Sequence, residues 1–239
     1  MKSKEEVLKR IMCLVCFSDR CALEYSVLDG IRHSLAEREN QRQLILDWCK
    51  RLDYYDSYTE KEKRLMETPI VREKNNEALW DLHDYECIEP LLWSMGLVDS
   101  LTGYDDYVLT DLHPPLQIGP DHTLQKLIDS CKDVPLAEIE KRREIAMLWY
   151  WRCLEARGGS GTTNYTEAIK SVFGEKELDC LKGYEAFNIE KGDFFVRGKR
   201  IARLNEGELA RLEIMSERRF YAFEWLFSEE DWENVDLVC

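Results

Sequence analysis

The chain has 239 residues, with 33 Lys and Arg against 47 Asp and Glu, for a formal net charge of −14. Hydrophobic residues make up 44% and charged residues 33%, the balance of a soluble globular protein long enough to bury a substantial core. No apolar run approaches the roughly 20 residues of a membrane helix, and both halves of the chain, divided at Pro120, are acidic, which disfavours membrane insertion and nonspecific nucleic-acid binding.

Met1-Lys-Ser-Lys-Glu-Glu lacks the pattern of a secretory signal, so the expected setting is the cytoplasm and the expected partner, if any, a basic protein. Apolar residues recur three and four apart through most of the chain, the period of helices. A first helix is expected over about Lys4 to Phe17, with more helix between Asp19 and Tyr54. A short one follows over Lys61 to Met66, ahead of Pro69. Cys13-x-x-Cys16 with Cys21, and His33 farther off, is the strongest metal candidate. A zinc site needs a fourth ligand and usually a knuckle turn, whereas Val7, Leu8, Ile11, Met12 and Val15 around it form a helix pattern. The nine cysteines are therefore taken as reduced core residues, and no metal is assigned.

A long helical segment is expected from about Asn76 to Leu97, ending near Gly96. Pro90 within it should free the carbonyl of Glu86 and bend the helix. Tyr104 to Pro120, with His113-Pro114-Pro115 and Gly119-Pro120, is expected to be a loop. Leu136 to Ala156 forms another helix, stopped by Gly158-Gly159. The Gly158-Gly-Ser-Gly-Thr-Thr-Asn164 stretch resembles a phosphate cradle only in composition. A helix precedes it and no lysine closes it, so it is a connection, with Asn164 and Glu167 capping the next helix.

Phe194 to Leu204 suits a small hairpin or extended pair. The last helix starts at Asn205, with Glu208 completing a capping box. Leu209, Leu212, Met215, Phe220, Phe223, Leu226 and Phe227 share one broad face, and Ile214, Tyr221 and Trp225 a narrower one nearly opposite. A helix apolar on two sides is sandwiched between layers. The expected fold class is mainly α: a multi-helix single domain over 1–239, with a small β-hairpin or extended pair near residues 193–204. Residues 1–40 supply N-terminal helices packing on it, and 158–192 look like an insertion.

Helical spacing also puts charges inside apolar faces. Arg219 falls among Leu212, Met215, Phe223 and Leu226, and Arg143 among Ile139, Ala146, Met147 and Tyr150. Glu89 falls among Ala78, Leu82, Tyr85, Leu92 and Trp93, with Glu86 at the edge of that face. Unpaired buried charges cost several kcal/mol, so these two acids and two arginines suggest one another as partners. Such a network would set helix register, with arginines snorkelling to the edge as the next choice. The functional alternative is a polar pocket for a small or anionic ligand, lined by Glu86, Glu89, Arg143 and Arg219 with Trp93 and Trp149.

Catalytic constellations are scarce. His83-x-x-Glu86 is a single pair without the second histidine of the zinc helix motifs, and no Gly-x-Ser-x-Gly elbow occurs. No catalytic residue and no cofactor is assigned. Trp48 and Trp232, flanked by acids, are the tryptophans expected at a surface or groove.

The segment Glu86…Leu91-Leu92-Trp93-Ser94-Met95-Gly96-Leu97 is similar to a "glutamate, then LLWALG" motif, and Leu148-Trp149-Tyr150-Trp151-Arg152 to a central family helix. The tail Arg197-Gly198-Lys199 … Ser216-Glu217-Arg218-Arg219 … Glu224-Trp225-Leu226 … Asp231-Trp232-Glu233-Asn234-Val235-Asp236 carries the most specific likeness. Together they resemble the bacterial family called domain of unknown function 4272, over roughly Ile45 to Asp236 with gaps. His83 and Asp84 stand where that family has Trp-Arg, and the usual Thr-Asp-Thr ending is missing. The resemblance implies a mostly helical single domain and no reaction. The functional expectation is a noncatalytic protein-binding module, immunity-like or regulatory; the alternative is an enzyme or small-ligand protein using the Glu/Arg pocket. No feature of the chain specifies an oligomeric state.

Overall fold

A computed structural model describes residues 1–28, 31–71, 75–108, 113–159 and 164–238. Helix α1 (Lys4–Ala22) starts at Ser3, which forms a capping box with Glu6. Every residue from Val7 to Ser18 is buried except Lys9. A helix apolar on all sides has to be enclosed, and α1 is, rather than resting on the outside of the domain. On one side Cys13, Cys16, Phe17 and Cys21 pack against α2 (Leu35–Arg51), α3 (Glu60–Glu67) and α4 (Asn76–Asp81) through Leu46, Cys49, Leu65, Met66 and Ala78. On the other, Val7, Leu8, Ile11 and Met12 meet α5 (Ile88–Ser94) and α7 (Leu124–Ser130). Between them, α6 (His113–Leu116) is a single turn inside the stretch expected as loop; residues 109–112 of that stretch lie outside the described ones.

The segment expected as one bent helix from Asn76 to Leu97 is broken. A 3-10 turn, Leu82–Cys87, separates α4 from α5. The break comes before Pro90, which then falls in the first turn of α5, where its missing N–H leaves no helix bond unmade. Gly96 ends α5 at φ +65°, and a Cβ there would lie 2.7 Å from Lys132 Cβ and 2.8 Å from its carbonyl oxygen. Both the turn and the close approach require glycine.

Helix α8 (Leu136–Gly158) stops at Gly159, in the left-handed conformation expected of a C-terminal glycine. Residues 160–163 of the following glycine-rich connection lie outside the described ones. Asn164 then caps α9 (Tyr165–Val172) through Thr166 and Glu167 N–H groups, without a reciprocal bond from Glu167. Helix α10 (Glu175–Cys180) follows. The expected hairpin forms from β4 (Asp193–Val196) and β5 (Lys199–Arg200), joined by Arg197-Gly198 with both residues at positive φ, the two-residue turn that matches strand twist. A third strand, β3 (Phe187–Asn188), pairs on the other edge of β4, and a separate pair joins β1 (Val27–Leu28) to β2 (Ile31–Arg32). These two-residue strands carry too little alternation to stand out in sequence. Tyr165, Ile169, Leu181 and Phe187, within the segment read as an insertion, are core residues.

Helix α11 (Glu206–Phe227) has the expected Asn205–Glu208 capping box. It runs between α8 on one side and the 82–87 turn with α5 on the other. Its Leu212 and Met215 belong to a core built on α8 and the β4 sheet, while Phe220, Ala222, Phe223, Trp225 and Leu226 belong to the core around α1 and α5. The two-sided apolar pattern thus corresponds to a helix that joins two cores.

Cys13, Cys16, Cys21, Cys49, Cys87 and Cys153 are buried free thiols, Cys131 and Cys180 are half-buried, and Cys239 lies outside the described residues. Burial pushes the Cys13 thiol up to about 12, so it stays protonated and packs as a small apolar group. Among the described residues no group of three or more His, Cys, Asp or Glu side chains is placed to hold a metal. No described helix is long and apolar enough to cross a membrane.

Candidate functional site

Three of the four charges singled out in the sequence converge. The 82–87 turn presents Glu86, the first turn of α5 presents Glu89, and the middle of α11 presents Arg219; all three are at most 5% exposed. Arg219 Nε donates to Glu86 Oε2 at 2.8 Å, Nη1 to the carbonyls of Thr102 and Gly103 at 2.9 Å each, and Nη2 to Asp106 O at 3.2 Å. Glu86 Oε1 accepts the Val108 N–H at 2.7 Å. Glu89 does not touch Arg219; it accepts the Thr102 N–H at 2.8 Å and the Thr102 hydroxyl at 2.6 Å. The three side chains therefore clamp one loop, residues 99–108, onto the seam between α5 and α11. Burial raises the Glu86 pKa above the ordinary carboxylate value, and the Arg219 charge opposes that rise. Four of the five guanidinium N–H groups are used by these bonds, and Nη2 also lies 2.8 Å from Glu86 Oε2.

An aromatic stack extends the clamp. The Arg219 guanidinium lies 4.8 Å from the Tyr104 ring centre, and Tyr104 stacks on Trp149 at 4.5 Å and 12°. Trp149 is fully buried, and its Nε1 donates to the Tyr184 hydroxyl at 3.1 Å.

Arg143 stands apart from this cluster. It forks onto Glu224 of α11, with Nε and Nη2 donating at 2.7 and 3.0 Å, and ties α8 to α11 near the surface. Its own apolar helix face did suggest an acidic partner, but the acid lies on the facing helix, not on α5. Trp93 is half-buried, 6.3 Å from Phe223 and 5.8 Å from the Arg142 guanidinium. It packs against the core around α1 and α5, whereas Trp149 belongs to the core built on α8 and the β4 sheet.

The structure adds buried pairs that the sequence reading missed. Arg10 pairs with Glu62, Arg20 with Glu24 at 2.9 Å, and Arg152 with Asp193 at 2.8 Å. Arg10 is a cation within the apolar stretch of the expected first helix, and Arg20 falls past its expected end at Phe17. Their acids come from α3 and from just past the C-terminus of α1, and no spacing rule links the first of these to α1.

His83 lies 5.9 Å from both Trp80 and Tyr107, while Glu86 is turned to Arg219, so the His83-x-x-Glu86 pair does not converge. Trp232 is half-buried against Arg10, Tyr221 and Trp225, beside a cleft of about 380 Å³ that also includes Lys2, Tyr58 and Glu233. Trp48 is half-buried next to Tyr54 and His122. The markedly exposed tryptophan is instead Trp80, at 66%.

His122 carries a pH prediction. Its Nδ1–H donates to Leu116 O at 3.1 Å, so Nε2 accepts the Tyr54 hydroxyl at 2.7 Å. Burial lowers its pKa below the ordinary 6.5. Between the folded value and 6.5 the unfolded chain binds more protons, so this contribution is complete above pH 6.5 and is lost as pH falls below it. Urea unfolding should show a smaller loss of stability across that window in His122→Gln than in the wild type. Parallel pH profiles would refute the assignment.

A family model described as Domain of unknown function (DUF4272) matches residues 1–169. That is more than half of the chain, and the chain belongs to this family. The match takes in the 86–97 and 148–152 motifs and the N-terminal helices. It ends before the tail on which the sequence resemblance leaned most. No curated protein and no solved structure matches.

Proposed function

We propose that this family member is a noncatalytic protein-binding module, immunity-like or regulatory, that works in the cytoplasm and covers a basic surface on its partner. The observation that carries this reading is the contrast between two sets of acids. Glu86 and Glu89 are buried and fully engaged within the chain. Glu229, Glu230, Asp231, Glu233 and Asp236 are exposed and form no ion pair among the described residues. Exposed acids grouped within residues 229–236 favour a cationic partner and speed its encounter. The second reading, an enzyme acting through the Glu/Arg cluster, needs at least one of those groups free for substrate.

Affinity capture from native lysate at low salt, followed by mass spectrometry, tests the reading. The expected result is a basic protein that is released by salt and lost with the Glu229→Lys/Asp231→Lys/Glu233→Lys variant. Capture indifferent to both changes would overturn it. So would a co-purifying small molecule turned over in the absence of any protein partner.

A further inference from the structure

Next to the clamp lies a cavity of about 100 Å³, walled by Glu89, Pro90, Leu101, Thr102, Tyr104, Arg142, Ile145, Tyr184, Arg219 and Phe223. Arg142 is the unusual member. It is half-buried on α8, and its Nε is buried without an acceptor. Among the described residues it makes no hydrogen bond or ion pair, and its guanidinium only rests 5.8 Å from the Trp93 ring centre. Every buried arginine around it has an acid or a carbonyl. A partly desolvated guanidinium facing a cavity is a place for an anion.

Tyr184 points to the same ligand. Its hydroxyl accepts from Trp149 Nε1, which leaves its own proton without an acceptor among the described residues. Burial raises the Tyr184 pKa, so that proton stays in place at neutral pH and the hydroxyl is a donor. Two donors, one of them a planar fork, thus face a space whose remaining wall includes Pro90, Leu101, Ile145 and Phe223.

Size and charge narrow the class. The cavity holds roughly three waters at about 30 Å³ each, and lies well below the roughly 300 Å³ at which sites for larger ligands begin. Nucleotides and sugars are too large. Arg219 is neutralised by Glu86, and Glu89 sits on the wall as a second acid, so among the described residues lining the cavity Arg142 is the cation left for an incoming charge. Beside Glu89 and Arg142 a monoanion leaves one net negative charge where a dianion such as hydrogen phosphate leaves two, and a short apolar tail matches the aliphatic wall. We propose that this cavity is a binding site for a short-chain monocarboxylate, anchored by Arg142 with Tyr184 as the second donor. The proposal does not depend on the protein-binding reading, because it uses neither the exposed acids nor a partner.

The test titrates sodium acetate and sodium propionate into the full-length protein by isothermal calorimetry at constant ionic strength, with sodium chloride and phosphate as controls. The expected result is saturable one-to-one binding of the carboxylates, with chloride silent and phosphate at least about 10-fold weaker. Losing a charge-assisted hydrogen bond should weaken binding about 10- to 100-fold in Arg142→Ala. Arg142→Lys should retain part of the affinity, and Tyr184→Phe should lose part of it with a native circular dichroism spectrum. Absence of saturable binding of both carboxylates to the wild type would overturn the proposal, as would equal affinity for phosphate. Unchanged affinity in a folded Arg142→Ala or Arg142→Gln protein would overturn it as well.

Discussion

Arg219→Ala is expected to remove about 3–5 kcal/mol of folding free energy, because it leaves the Glu86 carboxylate buried without its partner. That is a large part of the roughly 5–15 kcal/mol by which a domain of this kind is stable. The arginine also binds the carbonyls of Thr102, Gly103 and Asp106, so its loss should release the loop as well as weaken the core. Arg143→Ala is the contrasting case. The Arg143 side chain is 32% exposed and its Glu224 partner 16%, and a pair near the surface is worth about 1 kcal/mol or less. Replacing the central pair together, Glu86→Leu with Arg219→Met, should recover part of the loss, since two apolar groups can fill the same space without a stranded charge. Urea denaturation of the three variants checks the ranking. Equal effects at Arg219 and Arg143 would show that the cluster is not what holds this seam.

Removing residues 205–239 should abolish the fold rather than trim it. Leu212, Met215, Phe220, Phe223, Trp225 and Leu226 of α11 are each at most 5% exposed. At about 1.5–3 kcal/mol for each large apolar side chain taken from water, six of them represent roughly 9–18 kcal/mol. This is an upper estimate, given that the unfolded chain already hides some apolar surface. It is still comparable to the whole expected stability. The fragment 1–204 is therefore expected to be insoluble or to melt without cooperativity. A soluble fragment with a sharp thermal transition would contradict the central place given to α11.

Where the fold was legible in the sequence, a local signal matched a local structure. The capping box at Asn205, the glycine stop at Gly159 and the Arg197-Gly198 turn are each decided by a few neighbouring residues. The two apolar faces of α11 also translated directly, since a periodic pattern of that length allows few other arrangements. The 76–97 segment did not translate, because a 3-10 turn preserves the look of a helical pattern while rotating every residue after it. Glu89 therefore binds Thr102 instead of lying on the helix face that its spacing predicts, although it is buried as that spacing implies. The pair of Arg219 with Glu86 is one of those the sequence suggests, since Arg219 interrupts one apolar face and Glu86 lies at the edge of another. The same rule says that Arg143 needs a partner without saying from which helix it comes, and the partner is Glu224 of α11. Arg10 with Glu62, and Arg152 with Asp193, are closer in the chain than Arg219 and Glu86, but Glu62 belongs to a capping box and Asp193 to a short strand, so neither acid interrupts a helical apolar face.

The chemistry of the cluster favours a structural role. Its acids and its arginine hold the 99–108 loop, and the groups proposed to meet a partner or ligand are the exposed acids near the C-terminus and Arg142 beside the small cavity. The amide groups of Thr102 and Val108 report on this most directly, because each donates to one of the buried carboxylates. Residue-resolved hydrogen exchange of the native protein should find both amides protected like the helical core, with Thr102 losing its protection in Glu89→Ala. Exchange of both amides as fast as in an exposed loop would contradict the clamp and return Glu86, Glu89 and Arg219 to the status of groups available for chemistry.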